Sequence, residues 1–320
     1  MTRIAIAIIH GVEIDDPRFA DRAIEMLRRG FLAALPPGRR RDADEALCIE
    51  TVHWAPVVEP RQKELLQRLY ERGGDKLFER LKRLVLRMNQ GSVPALLPFT
   101  AMLASRWLPG ISGPHYPVAR WVAMHFIGDI IAYQPSGSAR ANYDAVQGIL
   151  AESLGRLAAR AGGEAPLCVL AHSYGSIIAS DFFYDLEQGL RSGGPTPLEQ
   201  GRTLSHFYTM GSPIALWALR YSGELDRPLT VPAATLERYH PGLRGEWVNF
   251  YDDDDVIAYP LRGLGRAYAE AVTRDTKVRL EVPPVSWSPL CHPYYWSDDS
   301  VILPISRALA RAWEQLSSGA

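Results

Sequence analysis

The stretch Leu167-Cys168-Val169-Leu170-Ala171-His172-Ser173-Tyr174-Gly175-Ser176-Ile177-Ile178-Ala179-Ser180 decides the fold. Its first five residues are apolar at every position, as a strand covered on both faces of a sheet requires. A helix is predicted from Ser176 to Leu186. Strand and helix are joined by a tight turn with Ser173 at its tip. The small residues Ala171, Gly175 and Ser176 let the two elements approach closely. Such a turn projects a serine from a strained backbone at the end of a strand, which is what an exposed nucleophile needs. The competing reading is a chance serine in a strand-to-helix turn, since Ser-x-Gly alone is common. The flanking elements and the adjacent His172 favour the nucleophile.

The same strand-then-helix pattern extends in both directions. Ile4 to Ile9 is a second fully apolar strand, followed by His10-Gly11-Val12 and a helix opened by Asp16-Pro17 that runs to about Arg29. Further strands are predicted at Leu47–His53, Leu204–Thr209, Trp247–Tyr251 and Lys277–Val282. Helices are predicted at Ser138–Ala161 and Ser300–Leu316, with Gly162-Gly163 ending the first. Strands separated by helices imply an α/β fold with a mostly parallel central sheet between two helical layers. Residues 1–320 read as a single domain. The piece at about 55–137 lacks convincing strands and reads as a helical cap inserted over one end of the sheet.

Composition narrows the function classes. Lys plus Arg total 35 and Asp plus Glu 36, a net charge of -1, so no global field favours nucleic acid. Three cysteines cannot build a disulfide framework, and Cys48 and Cys168 in apolar runs read as buried thiols of a reduced compartment. The N-terminal apolar run is too short for a signal-peptide core and lacks a cleavage site, so the expected location is cytoplasmic. The most apolar long stretch, Val93 to Leu108, holds two prolines and an arginine and is shorter than a bilayer span. It predicts no transmembrane segment and leaves weak contact with a membrane surface open. No His/Cys/Asp set has metal-ligand spacing, and no Gly-rich loop fits a nucleotide, so neither metal nor cofactor is expected.

The segments VLAHSYGSIIAS (169–180) and FYTMGSPIALW (207–217) resemble the α/β-hydrolase superfamily, especially its lipase-like and esterase-like serine hydrolases. The resemblance spans Ile4 to Leu316 apart from the insertion, and it departs from the usual motif in having Ala171 where the first Gly of G-x-S-x-G stands. It implies an α/β-hydrolase three-layer sandwich with the order nucleophile, acid, base along the chain. Ser173 is then the nucleophile. The His-Gly pair after the first strand implies an oxyanion hole built from the backbone N–H of Val12, or of Gly11 if the loop is tighter, together with that of Tyr174.

The acid comes from Asp252-Asp253-Asp254-Asp255, four adjacent carboxylates after a strand. Relatives place an Asp shortly before a β-branched residue, a small residue and Pro, which favours Asp255 before Val256-Ile257-Ala258-Tyr259-Pro260. Asp254 and Asp252 remain alternatives, and Asp252 could instead hydrogen-bond the loop that carries the histidine. A calcium loop is disfavoured by the absent alternating ligand spacing. The base is His292, in the loop between the last strand and the last helix, where Tyr295 and Trp296 would pack. Cys291 beside it reads as a small buried hydrophobe. His172, His206 and His240 are weaker candidates, being in the elbow, in a strand and in a surface loop.

Trp54, Met210, Trp217 and Tyr259 follow strand ends, where ligands of open α/β sheets bind, and are possible pocket residues. His125, Asp129 and Tyr133 share a helical face, as a buried hydrogen-bonded set or as pocket lining. The expected substrate is a small apolar or aromatic carboxylic ester, since no Arg or Lys stands beside the motifs. Amide or thioester hydrolysis, acyl transfer, and a non-catalytic binding member of the fold are the alternatives.

Overall fold

The structure is a computed structural model that describes residues 2–12, 16–43, 45–69, 127–220, 228–281 and 291–318. Among the described residues six strands form one sheet: β1 (Ile4–Ile9), β2 (Leu47–Val52), β3 (Leu167–His172), β4 (Leu204–Met210), β5 (Glu246–Tyr251) and β6 (Arg274–Lys277). Their spatial order is β2-β1-β3-β4-β5-β6 and every pairing is parallel. Among the described residues the α-helices with both ends described are, in chain order, α1 (Asp21–Ala34), α2 (Glu59–Leu69), α3 (Arg140–Ala161), α4 (Tyr174–Glu187), α5 (Ile214–Trp217), α6 (Leu236–Tyr239), α7 (Arg266–Ala271) and α8 (Asp299–Ser318). This is the three-layer α/β architecture expected from the sequence.

Alternation along each strand builds two cores. In β1, Ile4, Ile6 and Ile8 face a layer made by α1 and α8, where Leu27, Phe31, Ile305 and Trp313 are buried. Ala5, Ala7 and Ile9 face α3 and α4, where Leu150, Leu154, Ile177 and Phe182 are buried. The period-two alternation of strand side chains assigns these faces. Two alanines on the second face leave room for α3.

The strand order also locates the site. From β1 the chain moves outward to β2, then returns to β3 on the opposite side of β1. The connections leaving β1 and β3 therefore diverge, and a crevice opens between their C-terminal ends, the usual ligand position in open α/β sheets. His10-Gly11-Val12 and Ser173 lie there.

Several boundaries differ from the sequence expectation. The last strand is Arg274–Lys277 rather than Lys277–Val282. Val278 still donates its N–H to Tyr251 O at 2.9 Å, but the Leu280 N–H is taken by the Asp252 carboxylate at 2.6 Å, so the ladder ends. Residue 282 lies outside the described residues. The first helix begins at Asp21 and not at Asp16, because the Asp16 carboxylate accepts the Arg18 N–H and residues 17–20 form turns. Cys48 is half-buried, while Cys168 is fully buried. Most of the inserted piece, residues 70–126 with Val93–Leu108 and His125, lies outside the described residues. Its described flanks are α2 and a helical stretch over 127–132. Among the described residues no helix is long and apolar enough to cross a membrane.

Two glycines test the packing. A Cβ on Gly30 of α1 would lie 2.6 Å from Ser306 Oγ and 2.9 Å from Ser306 Cβ on α8. Ser306 Oγ is hydrogen-bonded to Leu27 O and Ile302 O, so it resists displacement. Gly148, inside α3, faces open space. Gly148→Ala is expected to stabilise the fold by about 0.5–1 kcal/mol through helix propensity. Gly30→Ala is expected to destabilise it by about 1–3 kcal/mol through overpacking. Urea denaturation of the two variants measures both signs.

Candidate active site

Ser173 is the one non-glycine residue with positive φ among the described residues, at φ 53° and ψ −131°. Its backbone is pinned from two sides. The Ser173 N–H donates to Met210 O on β4 at 2.9 Å. The Ser173 carbonyl accepts from the Ser176 N–H at 3.0 Å and from the Ser176 hydroxyl at 2.6 Å. Ser176 Oγ also meets Ser212 Oγ at 2.7 Å, which ties the elbow to the loop after β4.

The turn fits because its neighbours lack side chains. A Cβ on Gly175 would lie against the Ile9 and His10 carbonyl oxygens, 2.8 Å from that of Ile9. A Cβ on Gly11 would lie 2.5 Å from Ser173 Cβ and 3.0 Å from Ser173 Oγ. The backbone after β1 therefore passes directly beside the serine. Tyr174 opens α4, so its N–H belongs to the helix-terminal donors that have no intrahelical acceptor. Val12, half-buried, is the next residue of the same loop.

His10 shapes this loop. Its Nδ1 lies 2.5 Å from Gly11 O, and its Nε2 lies 3.1 Å from the Trp54 N–H. A carbonyl only accepts and an amide N–H only donates, so His10 carries its proton on Nδ1 and is neutral. Trp54 stacks flat on this ring, with centroids 5.1 Å apart, and its indole N–H donates to His10 O at 2.9 Å.

His292 begins a short 3₁₀ helix, His292–Ser297, between β6 and α8. Its Nδ1 is 2.7 Å from Asp255 Oδ2. The carboxylate accepts, so Nδ1 carries a proton, and in the neutral ring Nε2 has a free lone pair. Both His292 Nε2 and Ser173 Oγ are buried and make no hydrogen bond among the described residues.

The four aspartates are told apart by their surroundings. Asp252 Oδ2 accepts the Leu280 N–H, Asp252 Oδ1 accepts the Asp254 N–H at 2.9 Å, and the Asp252 N–H donates to Tyr295 Oη at 2.9 Å. Asp252 thus braces the segment carrying His292. Asp253 pairs with Lys277. Asp255, on the inward side of the turn, meets His292 and accepts the Ile257 N–H through Oδ1 at 3.2 Å. Burial pushes its carboxyl up. The His292 charge and hydrogen bond, the Ile257 N–H and the Tyr295 hydroxyl outweigh that and hold it below the usual carboxylate range.

Of the four suggested pocket residues, Trp54 and Trp217 both meet the Tyr174 ring that follows Ser173, at 6.2 and 5.3 Å. Trp54 and Met210 are fully buried, Trp54 on the α3/α4 side of the sheet and Met210 on the α1/α8 side. Trp217 stands edge-on to Tyr174 at 5.3 Å, and Tyr259 is 40% exposed in the loop after Asp255. Asp129 and Tyr133 are buried in a polar network. Gln62 donates to Asp129 Oδ1 at 2.6 Å, Gln147 donates to Tyr133 Oη, and Tyr133 Oη reaches Asp181 Oδ2 at 3.5 Å. Gln62, Gln147 and Asp181 had no sequence signal, since each is one polar residue on an otherwise ordinary amphipathic helix. Among the described residues, no group of three or more His, Cys, Asp or Glu is arranged to hold a metal ion.

A serine on a strained turn, an imidazole with a carboxylate on one nitrogen and no hydrogen bond on the other among the described residues, and backbone N–H groups near the serine are the parts that nucleophilic attack on an acyl carbon requires. No family model matches the chain, and no curated protein matches it. Among solved structures, a chain from work on LipS and LipT, described as two metagenome-derived lipolytic enzymes, aligns with 97% of this chain and 94% of its own length. Sequence identity is 12% and the TM-score is 0.37. The fold and site described above rest on this chain's own sheet order and elbow.

Buried histidines make stability pH-dependent. Burial lowers His10 and His172 to about 3 and His206 to about 4. In the unfolded chain each takes up a proton near pH 6.5. Below that pH the unfolded state binds more protons, so stability is complete above about pH 6.5 and is lost as pH falls. Each histidine adds a slope of about 1.4 kcal/mol per pH unit between roughly pH 6 and its folded value. Asp255 acts in a lower window: its contribution is present above the ordinary carboxylate range and is lost as pH falls through its depressed value. Denaturant titrations at pH 7, 6 and 5 are expected to show this fall. His206→Asn, remote from Ser173, is expected to reduce the slope by about one proton.

Proposed function

We propose that this chain is a serine hydrolase that cleaves an uncharged carboxylic ester through an acyl-enzyme on Ser173. The observation that carries the reading is the pairing of a strained serine elbow with a buried His292–Asp255 hydrogen bond at the same sheet edge. Strain of this kind costs about 1–3 kcal/mol and clusters at functional sites. A binding-only member of the fold gains nothing from it.

Ser173 Oγ attacks the acyl carbon while its proton passes to His292 Nε2. Asp255 holds the imidazole with Nδ1–H inward and stabilises the imidazolium. The N–H of Tyr174, with that of Val12 or Gly11, receives the negative oxygen of the tetrahedral intermediate. Collapse expels the alkoxide, which leaves as the alcohol with the proton from Nε2. Water then attacks the acyl-enzyme, gives its proton to Nε2, and the second collapse releases the acid and restores the Ser173 hydroxyl.

The neutral-ester preference rests on charge. Arg220, whose guanidinium reaches the elbow helix, is already paired there with Asp181 through bonds of 3.0 and 3.3 Å. In the sequence no Arg or Lys stands beside the motifs to hold an anionic acyl group.

A fluorophosphonate probe and p-nitrophenyl esters of increasing chain length test the reading. Wild type is expected to be labelled and to turn over the esters, and Ser173→Ala is expected to lose both. Asp255→Asn is expected to lower kcat by on the order of 10³–10⁴, and Asp254→Asn by less than about tenfold. An unlabelled, inert wild type removes the proposal. Product analysis with added alcohols separates hydrolysis from acyl transfer.

A further inference from the structure

His172 precedes Ser173 on the same strand end, yet the ester chemistry above makes no use of it. It is buried and pairs with Met210 across the β3–β4 ladder. Its Nε2 lies 2.8 Å from the main-chain carbonyl oxygen of His292. Its ring is 4.7 Å from the His292 ring, with an interplanar angle of 35°, and also packs on Tyr295 and Trp296 at 5.8 and 5.5 Å. A carbonyl oxygen can only accept, so the proton sits on Nε2 of His172.

We propose that His172 is a positioning residue for the base: its Nε2–H clamps the His292 carbonyl and so fixes the imidazole between Ser173 and Asp255. The inference rests on the hydrolase reading and deepens it. Two anchors then hold His292, Asp255 at the ring and His172 at the backbone. Both start from the sheet edge that carries the serine. The distance between nucleophile and base is set by one pair of adjacent residues, His172 and Ser173. A histidine suits the task because it offers a rigid donor. It must also stay uncharged there, because a cation 4.7 Å from an imidazole that has to accept a proton would oppose that step. Burial provides this, lowering His172 to about 3 although the His292 carbonyl and Asp255 act in the opposite direction.

A bulky buried ring that only packs would give the same contacts without needing the N–H. Replacement by two amides separates the cases, because a glutamine amide nitrogen reaches the position of Nε2 and an asparagine one reaches that of Nδ1. The measurements are kcat and KM on a p-nitrophenyl ester, the rate of Ser173 labelling by a fluorophosphonate, and the melting temperature. His172→Asn is expected to lose about 10- to 100-fold in kcat and in labelling rate, with KM within about twofold. His172→Gln is expected to recover to within about threefold of wild type. His172→Phe, which keeps the volume and lacks the donor, repeats the comparison should the Asn variant not fold.

An Asn or Phe variant with wild-type kcat and labelling rate overturns the clamp while the hydrolase reading stands. Equal losses in the Gln and Asn variants at matched melting temperatures also overturn it, since the N–H would then be irrelevant. A wild type that neither reacts with the probe nor turns over esters removes the hydrolase reading and the clamp with it.

Discussion

Ser173 is held at φ 53°, a backbone conformation that its own Cβ disfavours, and much of the site follows from how the surroundings offset that strain. The offset needs hydrogen bonds on both sides of the residue, and β4 and Ser176 supply them. It also needs empty space, and Gly11 and Gly175 leave it. Close approach then has a chemical consequence. The same glycine that clears the serine side chain brings the backbone after β1 beside Ser173 Oγ, where N–H groups can act. Sheet order makes the meeting possible, since only at the divergence of β1 and β3 do two such connections border one crevice.

Burial gives the charged groups around this turn distinct roles. Four adjacent carboxylates would repel one another in one environment. Here Asp252 is consumed by backbone N–H groups, Asp253 by Lys277, and Asp255 by His292. The histidines divide in a similar way. His10 and His172 each face an accepting carbonyl and are kept neutral by burial, so they act as fixed donors. His292 instead has one nitrogen on a carboxylate and the other without a protein partner among the described residues.

Regular elements were legible wherever local pattern and environment agree. Apolar runs in β1 and β3 and the 22-residue α3 were found within a residue or two of their observed ends. The elbow was legible because strand, small residues and helix occur in uninterrupted order. The last strand was displaced because the observed β6, Arg-Asp-Thr-Lys, is a polar edge strand, whereas the apolar Val278 and Leu280 just after it are buried without a continuing ladder. Trp54 and Met210 both sit near strand ends, yet they join opposite faces of the sheet. Position along a strand does not say which face of the sheet a side chain joins with its neighbours.

By itself the sequence determined the type and order of the elements and the serine at the tip of one turn. These depend on hydrophobic period, turn residues and chain order, all of which are local. Only the tertiary structure decided which aspartate reaches His292 and what His172 holds. Asp252 and Asp255 are three positions apart in one acidic run. They differ by the partners that other segments bring: the Leu280 N–H from 28 residues away and the His292 ring from 37. The His172 bond to the His292 carbonyl spans 120 residues. No local pattern encodes such a contact, because it exists only once the strand end and the loop before α8 are packed against each other.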